Sequence, residues 1–241
     1  MKPTGVLLRF SLGQLLAGRR LLIVPLVALP LVVVALFAAG ADADPDTFTL
    51  DLFRQFVLPV MLPFVSLTFS TSALGTELRD GTVTNILLKP LPRLAILGAK
   101  YLAAVLATLL VLLPAVVAAH LIVAGGLGST NLLAGIVLAS LVGVLAYCAL
   151  GMLLSLLMAR AMVVGLLYAG LWEGAVISVA PSASAFSIRG YTEGVLAAVV
   201  SGGGVDLTVR LGPVSSTVLA AVVTLAALAL AVLRLERMDF R

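Results

Sequence analysis

Residues 77–100 read ELRDGTVTNILLKPLPRLAILGAK. The stretch stands between two long apolar runs, in a chain that is 62% hydrophobic and only 11% charged. Yet it gathers Glu77, Arg79, Asp80, Lys89, Arg93 and Lys100. A soluble domain carries about a quarter charged residues. With a mean hydropathy of +1.23, this chain has too little polar surface to cover itself in water, and lipid is its expected solvent. The polar island must then stand on one side of a membrane.

Six apolar spans frame it, at about 21–40, 56–74, 97–123, 132–158, 161–180 and 214–233. Each is near or above the ~20 residues that cross a hydrocarbon core. Lys and Arg sort between them. Lys2, Arg9, Arg19, Arg20, Arg79, Lys89, Arg93, Lys100, Arg160, Arg234, Arg237 and Arg241 fall on one side, and only Arg54, Arg189 and Arg210 on the other. The positive-inside rule places both termini and the island in the cytoplasm. Asp42, Asp44, Asp46 and Asp51 then face outward. Residues 19–43 could pass for a signal peptide. Their apolar part is long for one, however, and cleavage would invert the charge pattern, so Arg19-Arg20 is read as a topology anchor.

Residues 4–18 suggest an interfacial helix leading into the first span. Pro25, Pro30, Pro59, Pro63 and Pro114 are expected to kink helices that their neighbours support. Ala159-Arg160-Ala161 makes a tight hairpin of spans 4 and 5. In the long fifth loop, about 181–213, GYTEGVLAAVV reads as a short helix or a re-entrant one, and SGGGVD as a breaker. Cys148 lies in an apolar run and is expected to be a small buried side chain. There is no G-x-x-x-x-G-K-[ST], so the chain by itself has no P-loop to hold ATP phosphates. It has no His/Cys/Asp/Glu cluster at metal-ligand spacing. His120 is the only histidine and no serine has a triad around it; it is expected near a membrane interface.

The island itself reads as the end of one helix and the start of another. Span 2 is expected to run past Leu74 and carry Glu77, Arg79 and Asp80 out of the lipid. Gly81 suits the left-handed residue that ends a helix, and Thr82 is a good N-cap for a second, short helix. Val83, Ile86 and Leu87 fall at i, i+3 and i+4, on one face. Pro90 and Pro92 stop it. The product is an amphipathic helix clamped at both ends, either resting on headgroups or docking a soluble partner.

In this order, Glu77, Gly81-Thr82, Leu87-Leu88, Pro90, Arg93 and Lys100 resemble the E…GT…LL..P..R……K signature of ABC-2 type transporter permeases, where it also follows the second span. The six spans, cytoplasmic termini and long last outer loop are similar as well. The motif covers residues 77–100; the architecture covers nearly the whole chain. The resemblance implies an all-α polytopic membrane protein, one permease domain over residues 1–241. It implies a homodimer in the cytoplasmic membrane, with two soluble ABC ATPase subunits beneath it. ATP and Mg would be bound by the ATPase and no cofactor by this chain, and nucleic acid is not an expected partner. The short helix would be a coupling helix seated in the ATPase, with Glu77, Arg79, Gly81, Thr82, Val83, Ile86, Leu87, Pro90 and Arg93 as its residues. The direction expected is export, and the cargo is left open.

Glu173 stands inside span 5, in GLWEGAV. A carboxylate there is costly, and functional by default. It faces a substrate pathway or partner subunit, or it makes a structural hydrogen bond to a neighbouring helix. Gly170 and Gly174 form a GxxxG pattern that permits close helix approach. Trp172 and Tyr168 line a cavity or simply pack. Two other classes compete with the permease reading. An intramembrane enzyme or assembly scaffold would show several ionisable groups at one depth, and only Glu173 is well inside. A secondary transporter would show paired broken helices, which the sequence does not.

Overall fold

The computed structural model describes residues 3–16, 22–40, 44–79, 93–126, 128–176, 179, 186–200 and 212–237. Every element among them is helical. Helix α1 (Pro3–Leu15) precedes α2 (Ile23–Ala39). Helix α3 (Pro45–Leu52) runs without a break through a π-helical stretch, Phe53–Met61, into α4 (Leu62–Arg79). Then come α5 (Arg93–Ala124), α6 (Thr130–Leu157) and α7 (Ala161–Leu167), which continues as a second π-helical stretch, Tyr168–Val176. Helices α8 (Ile188–Val200) and α9 (Pro213–Arg237) follow.

The second span begins earlier than its apolar run suggests, at Pro45 rather than near residue 56. Asp44 is the reason. Its carboxylate accepts the Thr47 N–H at 3.0 Å and the Thr47 hydroxyl at 2.6 Å, and Pro45 occupies the first turn. These are strong start signals. The hydroxyl, and then the N–H, hold the Asp44 carboxyl below the usual carboxylate range. Residues expected as outer loop, among them Leu50 and Phe53, are instead buried helix. Farther along, Leu62 N–H reaches back five residues to Val57 O. Pro59 and Pro63 offer no N–H, and their rings crowd the carbonyl four residues back. Widening the helix to a five-residue step relieves that crowding.

Helix α6 is the centre of the bundle, packed by α4, α8 and α9. Small residues let these neighbours approach. A Cβ on Gly135 would meet Leu196 and Val200 of α8, one on Gly143 would meet Thr192 of α8 and Leu62 of α4, and one on Gly151 would lie 2.0 Å from Ser70 Oγ of α4. Successive members of this series are eight residues apart and turned by about 80°. The close approach therefore passes from α8 to α4 along the helix. Gly165 of α7 gives the same room to Leu67 of α4, which Gly151 of α6 also faces. Helix α5 packs against α1, α2 and α4. Ser11 and Leu15 of α1 are buried, four residues apart on one face.

The outer helices are apolar on both sides. Helix α2 buries Val27, Leu31, Ala35 and Ala38, yet leaves Leu29 61% and Phe37 80% exposed. Helix α9 exposes Val214, Val218, Val222, Leu225 and Leu230. Such faces are a liability in water and the expected surface in hydrocarbon. The chain is a multi-pass membrane protein. Four stretches are long and apolar enough to cross a membrane: Pro45–Gly75, Leu94–Ala124, Thr130–Leu157 and Pro213–Arg237. Ile23–Ala39 and Ala161–Ala175 are apolar but shorter.

GYTEGVLAAVV is helical, and its helix is packed inside the bundle. Helix α8 runs antiparallel to α6, its first turn joined through Glu173 to Tyr147 and its last turn packed at Gly135. Tyr147 is about 25 Å along α6 from its first turn, so α8 starts deep in the bundle rather than on its surface. His120 is fully buried among its neighbours. It sits under the turn to α6, where Gly128, with a φ of +55°, leaves room for its ring.

Candidate functional site

Two places in the fold hold the residues singled out from the sequence. The first is the end of the bundle where α4 finishes and α5 begins. Glu77 and Arg79 fall on the last turns of α4, and Arg93 opens α5. Residues 80–92 lie outside the described residues, and with them Gly81, Thr82, Val83, Ile86, Leu87 and Pro90. The two flanking helices are cross-braced: Lys100 Nζ donates to Ala73 O at 3.0 Å. The sequence placed Lys100 among the basic residues of the cytoplasmic side and at the end of the signature; its side chain is only 4% exposed. Beside this brace a cavity of about 490 Å³ opens between Thr71, Ser72 and Gly75 of α4 and Ser155–Val163 of the α6–α7 hairpin. It exposes the Met158-Ala159-Arg160 turn.

The second place is the carboxylate of Glu173. It is 5% exposed and surrounded by donors. Oε2 accepts the Tyr147 hydroxyl of α6. Oε1 accepts Ile188 N–H at 2.6 Å, Arg189 N–H at 3.3 Å and the Ser187 hydroxyl at 3.4 Å. Ser187 is the N-cap of α8, and its Oγ accepts Gly190 N–H at 3.0 Å. Thus Glu173 takes the first two N–H groups of α8 and Ser187 the third. A helix start carries such unsatisfied donors and a partial positive charge, and a carboxylate answers both. These are the hydrogen bonds to a neighbouring helix that were one of the two readings of Glu173.

Arg189 ties the same turn to a third element. Its Nε pairs with Glu193 Oε1 at 2.9 Å, and its Nη2 donates to Arg54 O at 3.4 Å, in the first π-helical stretch. The two π-helical stretches also touch each other directly. No periodicity rule finds this cluster, because its members stand at 54, 147, 173 and 187–193. The signal available was the lone carboxylate in an apolar span.

Trp172, the neighbour of Glu173, lines a cavity of about 460 Å³ with Leu150, Tyr168, Phe186, Ile188, Tyr191 and Val223. Among the described residues its buried indole Nε1 has no hydrogen-bond partner. Tyr168 donates its hydroxyl to Phe186 O at 2.8 Å. Gly170 and Gly174 point the other way: both are exposed, and a Cβ on either would meet nothing within 4 Å. Among the described residues, then, the GxxxG face has no partner helix. Cys148 is fully buried, as expected. Among the described residues no group of three His, Cys, Asp or Glu side chains is placed to hold a metal.

Among known proteins, residues 19–183 match a family model described as ABC-2 family transporter protein. No curated protein matches the chain. The match includes α2 to α7 and Glu173, and ends before α8.

Proposed function

The chain belongs to the ABC-2 transporter family, and from that premise we propose that it is the membrane subunit of an exporter in the cytoplasmic membrane. Two copies pair, and two soluble ABC ATPase subunits bind beneath them. ATP and Mg are held by the ATPase; this chain supplies the path and takes up the motion. All six apolar helices cross the membrane, α2 and α7 being the short ones, with both termini in the cytoplasm. Residues 80–92 form the coupling helix, and Ile86 and Leu87 fill a cleft on the ATPase.

The observation that carries the reading is the Lys100–Ala73 brace. A displacement delivered to residues 80–92 reaches two helices at once. If they were free to splay, the motion would be absorbed. Because they are pinned together at about the second turn of α5, it passes into α4 and α5 as a unit. From α4 it reaches α6 and α7, which pack against it.

Co-purification tests this. Burying one side chain such as Ile86 or Leu87 contributes about 1.5–3 kcal/mol. Replacing both with Asp loses that and adds a desolvation cost. The ATPase should then bind more than tenfold more weakly, at about 1.4 kcal/mol per decade. The Thr47→Asp control, on an exposed outer turn, should leave binding unchanged. If the Ile86→Asp, Leu87→Asp variant keeps its ATPase, residues 80–92 are not the coupling helix.

A further inference from the structure

We propose that Glu173 is a positioning residue for transport: it docks the first turn of α8 inside the bundle, and α8 leaves this dock during the transport cycle. The cycle rests on the permease reading above. The dock rests on geometry alone.

A helix that starts in the interior of a membrane bundle brings unsatisfied N–H groups to a place without water. A carboxylate there is equally out of place. Each is tolerable because the other is present, so Glu173 and the α8 start form one unit. Partial separation leaves both a buried anion and orphan donors, which is costly. Two arrangements avoid that cost: fully docked, or apart with both ends hydrated. The cluster is therefore a two-state element rather than a flexible joint.

Its position connects it to the parts expected to move. The Tyr147 hydroxyl ties Glu173 to α6, and the Arg189 guanidinium ties the docked turn to Arg54 O. Both flanking stretches, Phe53–Met61 and Tyr168–Val176, are π-helical, and they lie in the spans that begin or end at the coupling side. A π-helical stretch is strained relative to an α-helix and is often found where function requires it. Tightening Tyr168–Val176 by one residue would swing Glu173 about 100° around the helix. The carboxylate would then leave the α8 start.

Thr192 reports on the docked state. It is fully buried, facing Gly143 at a distance that admits no Cβ there. The experiment uses Thr192→Cys in a Cys148→Ser background, in lipid nanodiscs, with a maleimide as probe. For the permease alone, Glu173→Ala should raise the labelling rate about tenfold or more, the effect of losing one charge-assisted hydrogen bond. Glu173→Gln, which keeps an acceptor oxygen, should fall between. The emission of Trp172, the only tryptophan, should shift to the red in Glu173→Ala. Ser140→Cys, fully buried in α6, is the control and should stay unlabelled.

Unchanged Thr192→Cys labelling in Glu173→Ala overturns the proposal. So does a parallel rise at Ser140→Cys, which would make Glu173 a general stabiliser. With the ATPase bound, ATP should speed Thr192→Cys labelling in the chain that retains Glu173. Steady labelling while ATP is hydrolysed overturns release during the cycle. Failure of the ATPase to bind would be seen by co-purification and would not alter the permease-alone result.

Discussion

Lys100 donates its ammonium to the carbonyl oxygen of Ala73 from a position 4% exposed. A lysine so placed is not a surface charge but a crossbar between α4 and α5.

Lys100→Met keeps the apolar stem and removes the crossbar. The Ala73 carbonyl loses its charged donor, and the loss of such a hydrogen bond costs about 1.5–3 kcal/mol. In a chain of this size each kcal/mol is a melting shift of roughly 2–4 °C. Coupling should suffer more: the complex should still hydrolyse ATP, but with transport largely lost. Thermal unfolding beside ATPase and transport assays distinguishes the two. A large melting shift with full transport would make Lys100 merely structural.

Gly151→Ala should be poorly tolerated, because the new Cβ would lie 2.0 Å from Ser70 Oγ. Overpacking of this kind costs about 1–3 kcal/mol. The partner change Ser70→Gly should restore most of the loss, although a helical glycine itself costs about 1 kcal/mol. A double-mutant cycle measured by unfolding should give a coupling energy above about 1 kcal/mol. Additive effects would mean that α4 and α6 do not meet there.

Topology is open to cysteine labelling, since native Cys148 is buried. Thr47→Cys lies on an exposed turn of α3, and Ala159→Cys on the exposed α6–α7 turn. An impermeant reagent outside intact cells should label the first and not the second. Inverted vesicles should reverse the pattern. Labelling of both from one side would undo the orientation read from the basic residues.

Gly170→Leu enters space that is empty among the described residues, so the monomer should not be destabilised, and removing a helical glycine should add up to about 1 kcal/mol. If two copies pair through this face, the added side chain holds the helices apart, and cross-linked dimer yield should fall several-fold. Undiminished pairing would move the interface elsewhere.

The apolar runs showed that the long elements are helices and in what order, because burial in lipid writes itself directly into composition; of the six spans they suggested, four are long and apolar enough to cross a membrane. They did not show where the second span begins. Asp44, Asp46 and Asp51 looked like a solvated loop, although Asp44 followed by Pro45 is a helix start. Nor did they show either π-helical stretch, since a five-residue step leaves no simple hydrophobic period. Glu173 stood out by its charge alone. Its partners did not, because Tyr147 and Ile188 come to it from opposite directions in sequence through the packing of α6 and α8. The segment expected to couple was the most legible motif in the chain, yet residues 80–92 are outside those described.

The π-helical stretches also bear on how the gene can vary. A helix that steps by five carries slack, and losing one residue can be taken up by tightening to a step of four. A single-codon deletion within Phe53–Met61 should therefore leave Asp44 and Ser70 facing their present neighbours. The same deletion in Thr130–Leu157, between Gly143 and Gly151, finds no slack. It would turn Gly151 about 100° away from Ser70 and set a bulkier neighbour against it. Length changes in this chain should thus be tolerated inside Phe53–Met61 and selected against in α6; in Tyr168–Val176 they would move Glu173 itself.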